Sequence, residues 1–148
     1  MRKLFFLALI SISFMACEDV VDPRPVIQGE ANGTLFRSAT QAASNSGGNV
    51  TIQGANLDIL TLEINGNNVG VYEITPNSGN VATFEIEGVV YNTNGPETSG
   101  MIEIEEITPL YITGNFFFEA RRNGTGESLA FSKGVFYQIP FSTLSPGG

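Results

Sequence analysis

Histidine and tryptophan are absent from this chain, cysteine occurs once, at Cys17, and 7 Lys and Arg stand against 15 Asp and Glu. Without histidine the usual general base, the Ser-His triads and the commonest transition-metal ligand are all excluded. Without tryptophan the aromatic most often used to stack on sugars is missing. A lone cysteine excludes a disulfide framework and a multi-thiolate metal site. The scarcity of cations argues against nucleic acid, whose phosphates need basic partners, and against electrostatic adhesion to anionic lipid. Catalysis would have to rest on carboxylates, Tyr, Lys or Arg, and no motif gathers them. The composition therefore points away from an enzyme and implies no cofactor.

What the chain does have begins at its start. Arg2 and Lys3 precede an apolar stretch over residues 4–15, and Ala16 supplies the small residue of a cleavage site, the pattern of a signal peptide. The stretch is too short for a membrane-spanning helix. Phe14-Met15-Ala16-Cys17 resembles a bacterial lipobox, with Phe14 in place of the usual Leu. The resemblance implies removal of residues 1–16, diacylation of Cys17 on sulfur and acylation of its new amine, and hence attachment to the membrane through acyl chains. Each buried CH₂ contributes about 0.8 kcal/mol, so several chains anchor durably. Acylation of Cys17 also removes the only thiol. From Cys17 onward five cations, Arg24, Arg37, Arg121, Arg122 and Lys133, face all fifteen acids, a formal charge of −10.

Residues 17–28 read as the lipidated cysteine and an acidic tether. Residues 18–28 would reach about 36 Å if fully stretched. Glu18 and Asp19 directly follow the acylated position and resemble an export signal that, in Bacteroidetes, carries lipoproteins to the outer face of the outer membrane. A soluble tether is acidic in any case, so both readings stand. The expected location is the outer membrane, lipid-anchored.

From Gly29 to Phe141 the pattern is strands and turns, and residues 142–148 read as a frayed tail. Residues 57–64 and 69–74 flank the Asn/Gly cluster at 65–68, of hairpin length. Residues 81–91 alternate strictly, with Ala82, Phe84, Ile86, Gly88 and Val90 facing one way and Thr83, Glu85, Glu87, Val89 and Tyr91 the other, as one half-buried antiparallel strand does. Residues 101–107, 111–120 and 127–141 complete the set, with Gly134 marking a bulge. Two weaker strands lie in residues 33–43 and 48–55. About eight short strands predict an all-β fold, an antiparallel two-sheet sandwich or flattened barrel. Phe84, Phe116, Phe118, Phe131, Phe136, Tyr72, Leu60, Leu62 and Ile64 are its expected core.

The residues 114–120, Gly-Asn-Phe-Phe-Phe-Glu-Ala, following Ser99-Gly100 and an acidic strand, are similar to a "GtFsFeA" element. Gly134-Val135-Phe136 and Ile139-Pro140-Phe141 look like a closing "G-x-F…vPf", Asn32-Gly33 with Phe36 looks like an opening "nG…w" with Phe36 in place of a common Trp, and Gly70-Val71-Tyr72 looks like a "GtY". In this order they resemble the domain of unknown function numbered 6252, carried by envelope lipoproteins of Bacteroidetes. The resemblance implies an all-β envelope lipoprotein and transfers no functional residue.

Two constellations could carry chemistry. Were strands 81–91 and 101–107 to pair as a hairpin, Glu87 would oppose Glu103 and Glu85 would oppose Glu105. Such directly opposed like charges are destabilising unless solvated or offset by a cation such as calcium. The same four glutamates could supply the carboxylate pair of a glycosidase, the weak hydrolase of the rival reading. The second constellation is apolar: Val89, Tyr91, Met101, Ile107, Tyr111 and Phe117 share the outward parity and would form a contact patch for a protein or glycan partner. The expectation is thus a non-catalytic binding or structural module. Its rival is a small-molecule carrier or weak carboxylate-based hydrolase on a β-barrel.

Overall fold

The computed structural model describes residues 24–142, and these form eleven antiparallel strands in one hydrogen-bonded sheet. In chain order they are β1 (Val26–Ala31), β2 (Thr34–Arg37), β3 (Thr40–Ser46), β4 (Asn49–Ala55), β5 (Ile59–Ile64), β6 (Gly70–Ile74), β7 (Val81–Ile86), β8 (Val89–Asn92), β9 (Ser99–Ile107), β10 (Tyr111–Arg122) and β11 (Ser128–Pro140). The all-β antiparallel reading holds. In place of two separate sheets there is one strongly curled sheet, ordered β2-β1-β11-β10-β8-β7-β5-β4-β3.

The curl follows from two features. First, β2 and β3, at opposite ends of that order, are joined by Ser38 and Ala39 alone. The Ser38 amide donates to Ile27 of β1 and the next amide, Ala39, donates to Ala55 of β4. Secondly, β10 is long enough to fork. Its residues 112–119 pair with β9, which in turn pairs with β6, while Arg121 and Arg122 pair with β8. The two branches wrap one apolar interior.

Phenylalanine fills that interior. The ring of Phe131 lies 5.2 Å from Phe116, 5.3 Å from Phe118 and 5.4 Å from Phe84, and Phe36 meets Phe84 edge-on at 5.3 Å. Such pairs contribute about 0.5–1.5 kcal/mol each beyond their buried area. The expected core residues are all buried except Tyr72, which is half-buried against the core. Room for the rings comes from glycine: a Cβ on Gly114 would strike the Phe136 ring and the Glu103 carbonyl, and one on Gly134 would strike the Phe116 ring.

Several boundaries move. β1 begins at Val26, inside the expected tether. Its inward positions are Ile27, Gly29 and Ala31, of which only Ile27 is large, so the strand carries little hydrophobic signal. Residues 81–91 are two strands, because Glu87 and Gly88 both adopt positive φ, at 50° and 80°, and turn the chain in two residues. Such values are those of a type I′ turn, which matches the twist of flanking strands. The β11 bulge falls where Gly134 marks it: the register against β10 shifts between Phe116 and Phe118, at Lys133 with φ 52°.

Candidate functional site

The buried polar residues of the domain serve its local structure. Asn80 accepts from the Asn65 amide at 2.7 Å and donates to the Glu73 carbonyl at 2.9 Å. Thr93 accepts from the Ala82 amide, Thr98 donates to the Thr93 carbonyl, and Asn92 bonds Asn123 and the Asn94 amide. These four are the buried polar residues among those described, and each bonds its surroundings rather than lining a cleft. A surface depression of about 470 Å³ has Glu63 as the one ionisable side chain in its lining. A single carboxylate cannot supply the acid and base of a glycosidase.

The predicted glutamate face is not assembled. β7 pairs with β5 and β8, whereas β9 pairs with β10 and β6, so Glu85 and Glu87 never oppose Glu105 and Glu103. Glu87 lies in the turn. Glu103 and Glu105 instead share one amide: Asn115 Nδ2 donates to Glu103 Oε2 at 3.1 Å and to Glu105 Oε1 at 2.6 Å. Among the described residues no group of three His, Cys, Asp or Glu gathers to hold a metal. Arg121 meets Glu119 at 3.7 Å and Glu97 at 3.5 Å, and Arg122 meets Glu127 at 3.7 Å, as surface pairs.

The predicted apolar patch divides. Met101 and Phe117 are direct cross-strand partners on the outer face of β9 and β10, and Phe117 is 49% exposed. Tyr111 also lies on the outer parity of β10. Its hydroxyl donates to Glu106 Oε1 at 2.7 Å, and that bond to a carboxylate raises the phenol above its ordinary pKa. Val89, Tyr91 and Ile107 belong elsewhere. The two-residue turn pairs Phe84 with Tyr91, which packs against the core, and Ile86 with Val89, which takes the same parity. A bulge at Glu105, where Ile104 and Glu106 oppose the successive residues Gly114 and Thr113, returns Ile107 to the core beside Ile112.

What sequence reasoning missed is the place of β6: residues 69–74, expected in a hairpin with 57–64, pair as β6 with β9, while β5 pairs with β4 and β7. Val71 opposes Glu103, Glu73 opposes Met101, and Val71 is 57% exposed. The outer face of β6, β9 and β10 therefore carries a stripe, Val71 diagonal to Met101 and Met101 beside Phe117, edged by Glu73, Glu103 and Glu119. Strand alternation in residues 69–74 was the available signal, and reading Val71 needed only the parity that puts Tyr72 and Ile74 inward.

A curled antiparallel all-β domain with a Phe-packed interior and an apolar stripe on its outer face is the class these features define. The chain belongs to the family described as domain of unknown function DUF6252, whose profile matches residues 23–140. No curated protein and no solved structure matches it.

Proposed function

We propose that this protein is a lipid-anchored component of a bacterial cell envelope, held at the outer membrane through acyl chains on Cys17, and that its domain is a non-catalytic module that binds a protein or glycan partner. The carrying observation is the outer-face stripe of exposed Val71 and Phe117 with half-buried Met101 between them, on a domain whose buried polar residues are committed to structure. Cys17, Glu18 and Asp19 lie outside the described residues, and the anchoring rests on their sequence pattern. With β1 starting at Val26, nine residue steps separate it from Cys17, about 30 Å when extended. The contacting Phe rings occupy the volume a carried ligand would need, which favours the binding module over the carrier.

The test has two arms. Replacing Cys17 by Ser should abolish acyl labelling and release the protein from membranes; full membrane retention would refute the anchor. Pull-down of the acylated protein from solubilised membranes should return a reproducible partner that Phe117→Ser loses, and its absence across conditions would refute the binding role.

A further inference from the structure

Resting on the contact face just proposed, we infer that β6 takes up an added strand: an extended segment of a protein partner, with an apolar and a basic residue two positions apart on one face, pairs with its open edge. Among the described residues β6 pairs on one side only, with β9. β2 also pairs on one side only, with β1, but it is four residues long and carries no acidic side chain to select a basic partner. β2 and β3 run into one another, and the far side of β3 is met by the tail of the domain, where Ala43 bridges Phe141 and its carbonyl accepts from the Ser142 amide.

The orientation of the open groups can be worked out. The Glu73 carbonyl accepts from Asn80 Nδ2 at 2.9 Å and so points away from β9. Backbone groups of residues two apart on a strand point the same way, so the N–H and C=O of Val71 also face outward from the sheet edge. Asn80 thus caps one end of the edge and leaves Val71 as its centre. An exposed edge of this kind is a template for strand addition.

Side chains select the occupant. An added strand would lay alternate residues on the outer face beside Val71 and Glu73, with Glu103 and Glu105 one strand further in. An apolar residue beside Val71 and a basic one beside Glu73 are the favourable cross-strand neighbours. The chain carries a net charge of −8, so a cationic segment is steered toward it and a second copy is repelled.

The experiment uses the full acylated chain in detergent and a short end-capped peptide with Val and Lys two positions apart, separated by Thr, with binding followed by fluorescence anisotropy at low salt. Saturable binding is expected. Methylating the backbone nitrogens of the peptide, or replacing Val71 by Pro, should weaken it about tenfold or more as backbone bonds are lost. Proline is tolerated where the strand N–H faces outward at an edge, and circular dichroism checks the fold; if that variant misfolds, the methylated peptide decides the matter alone. Glu73→Lys should switch preference to a Val and Glu peptide. Equal affinity of methylated and unmodified peptide would overturn strand addition, as would a dimer in sedimentation that Val71→Pro dissolves. Loss of the membrane partner on Phe117→Ser but not on Val71→Pro would leave the contact face standing and remove this inference; loss on neither would remove both.

Discussion

Phe116, Phe117 and Phe118 are chemically identical neighbours, yet the inner and outer faces of β10 give them opposite roles. Phe116 and Phe118 are each 2% exposed and touch Phe131, while Phe117 is 49% exposed beside Met101. The inner face is closed on itself, ring against ring with glycine opposite. The outer face is held in place by that packing but spends none of its own surface on it. In this domain the inside specifies the fold, and the outer face of β10 is free for the contact role proposed above.

The largest effect should come from breaking the inner face. Phe116→Ala and Phe118→Ala should each cost about 3–5 kcal/mol in chemical denaturation, the usual loss for a large aromatic cavity. Filling the space opposite a ring comes next. Gly114→Ala places a methyl against the Phe136 ring and the Glu103 carbonyl and should cost about 1–3 kcal/mol, as overpacking does. On the outer face the same assay should register little. Phe117→Ala should cost less than about 1 kcal/mol and Glu119→Ala about 0.5 kcal/mol or less, since Glu119 is exposed and its pair with Arg121 is solvent-screened. Comparable losses at Phe117 and Phe118 would erase the distinction between faces.

A smaller effect sharpens the outer face without touching stability. Tyr111 titrates above an ordinary phenol because its hydroxyl donates to the Glu106 carboxylate, a bond that deprotonation destroys and that leaves two anions side by side. Glu106→Gln should therefore lower the Tyr111 pKa toward the ordinary value in ultraviolet difference titration. An unchanged titration would mean that the two side chains do not meet in solution.

Much of this was legible from residue order. Alternation placed Phe84, Phe116, Phe118, Leu60, Leu62 and Ile64 inside, and Gly134 gave away the β11 bulge, which is why Phe131 and Phe136, of opposite parity, are both core residues. The misplaced apolar residues share one cause. Parity is preserved only along an uninterrupted strand, and one inserted residue or one tight turn inverts it. Glu87 and Gly88 reversed the chain and gave Val89 and Tyr91 the inward parity, while the bulge at Glu105 did the same for Ile107. Glu-Gly is a weaker turn signal than the Asn32-Gly33 that opens the domain, where both residues also have positive φ. The glutamate face failed for another reason: strand neighbours were assumed from sequence proximity, whereas β10 recruits β9 and leaves β7 to β5 and β8. The candidate face was legible only in part, through Met101, Tyr111 and Phe117, because β6 joins it from a distant part of the chain.

The most direct test of this account pairs Phe117→Ser with Phe118→Ser and measures, for each full acylated chain, both thermal stability and recovery of the membrane partner. The account predicts that Phe117→Ser melts close to the parent and loses the partner, while Phe118→Ser melts far lower. A Phe117→Ser protein that keeps both its stability and its partner would contradict the claim that the outer face of β6, β9 and β10 is where this domain binds.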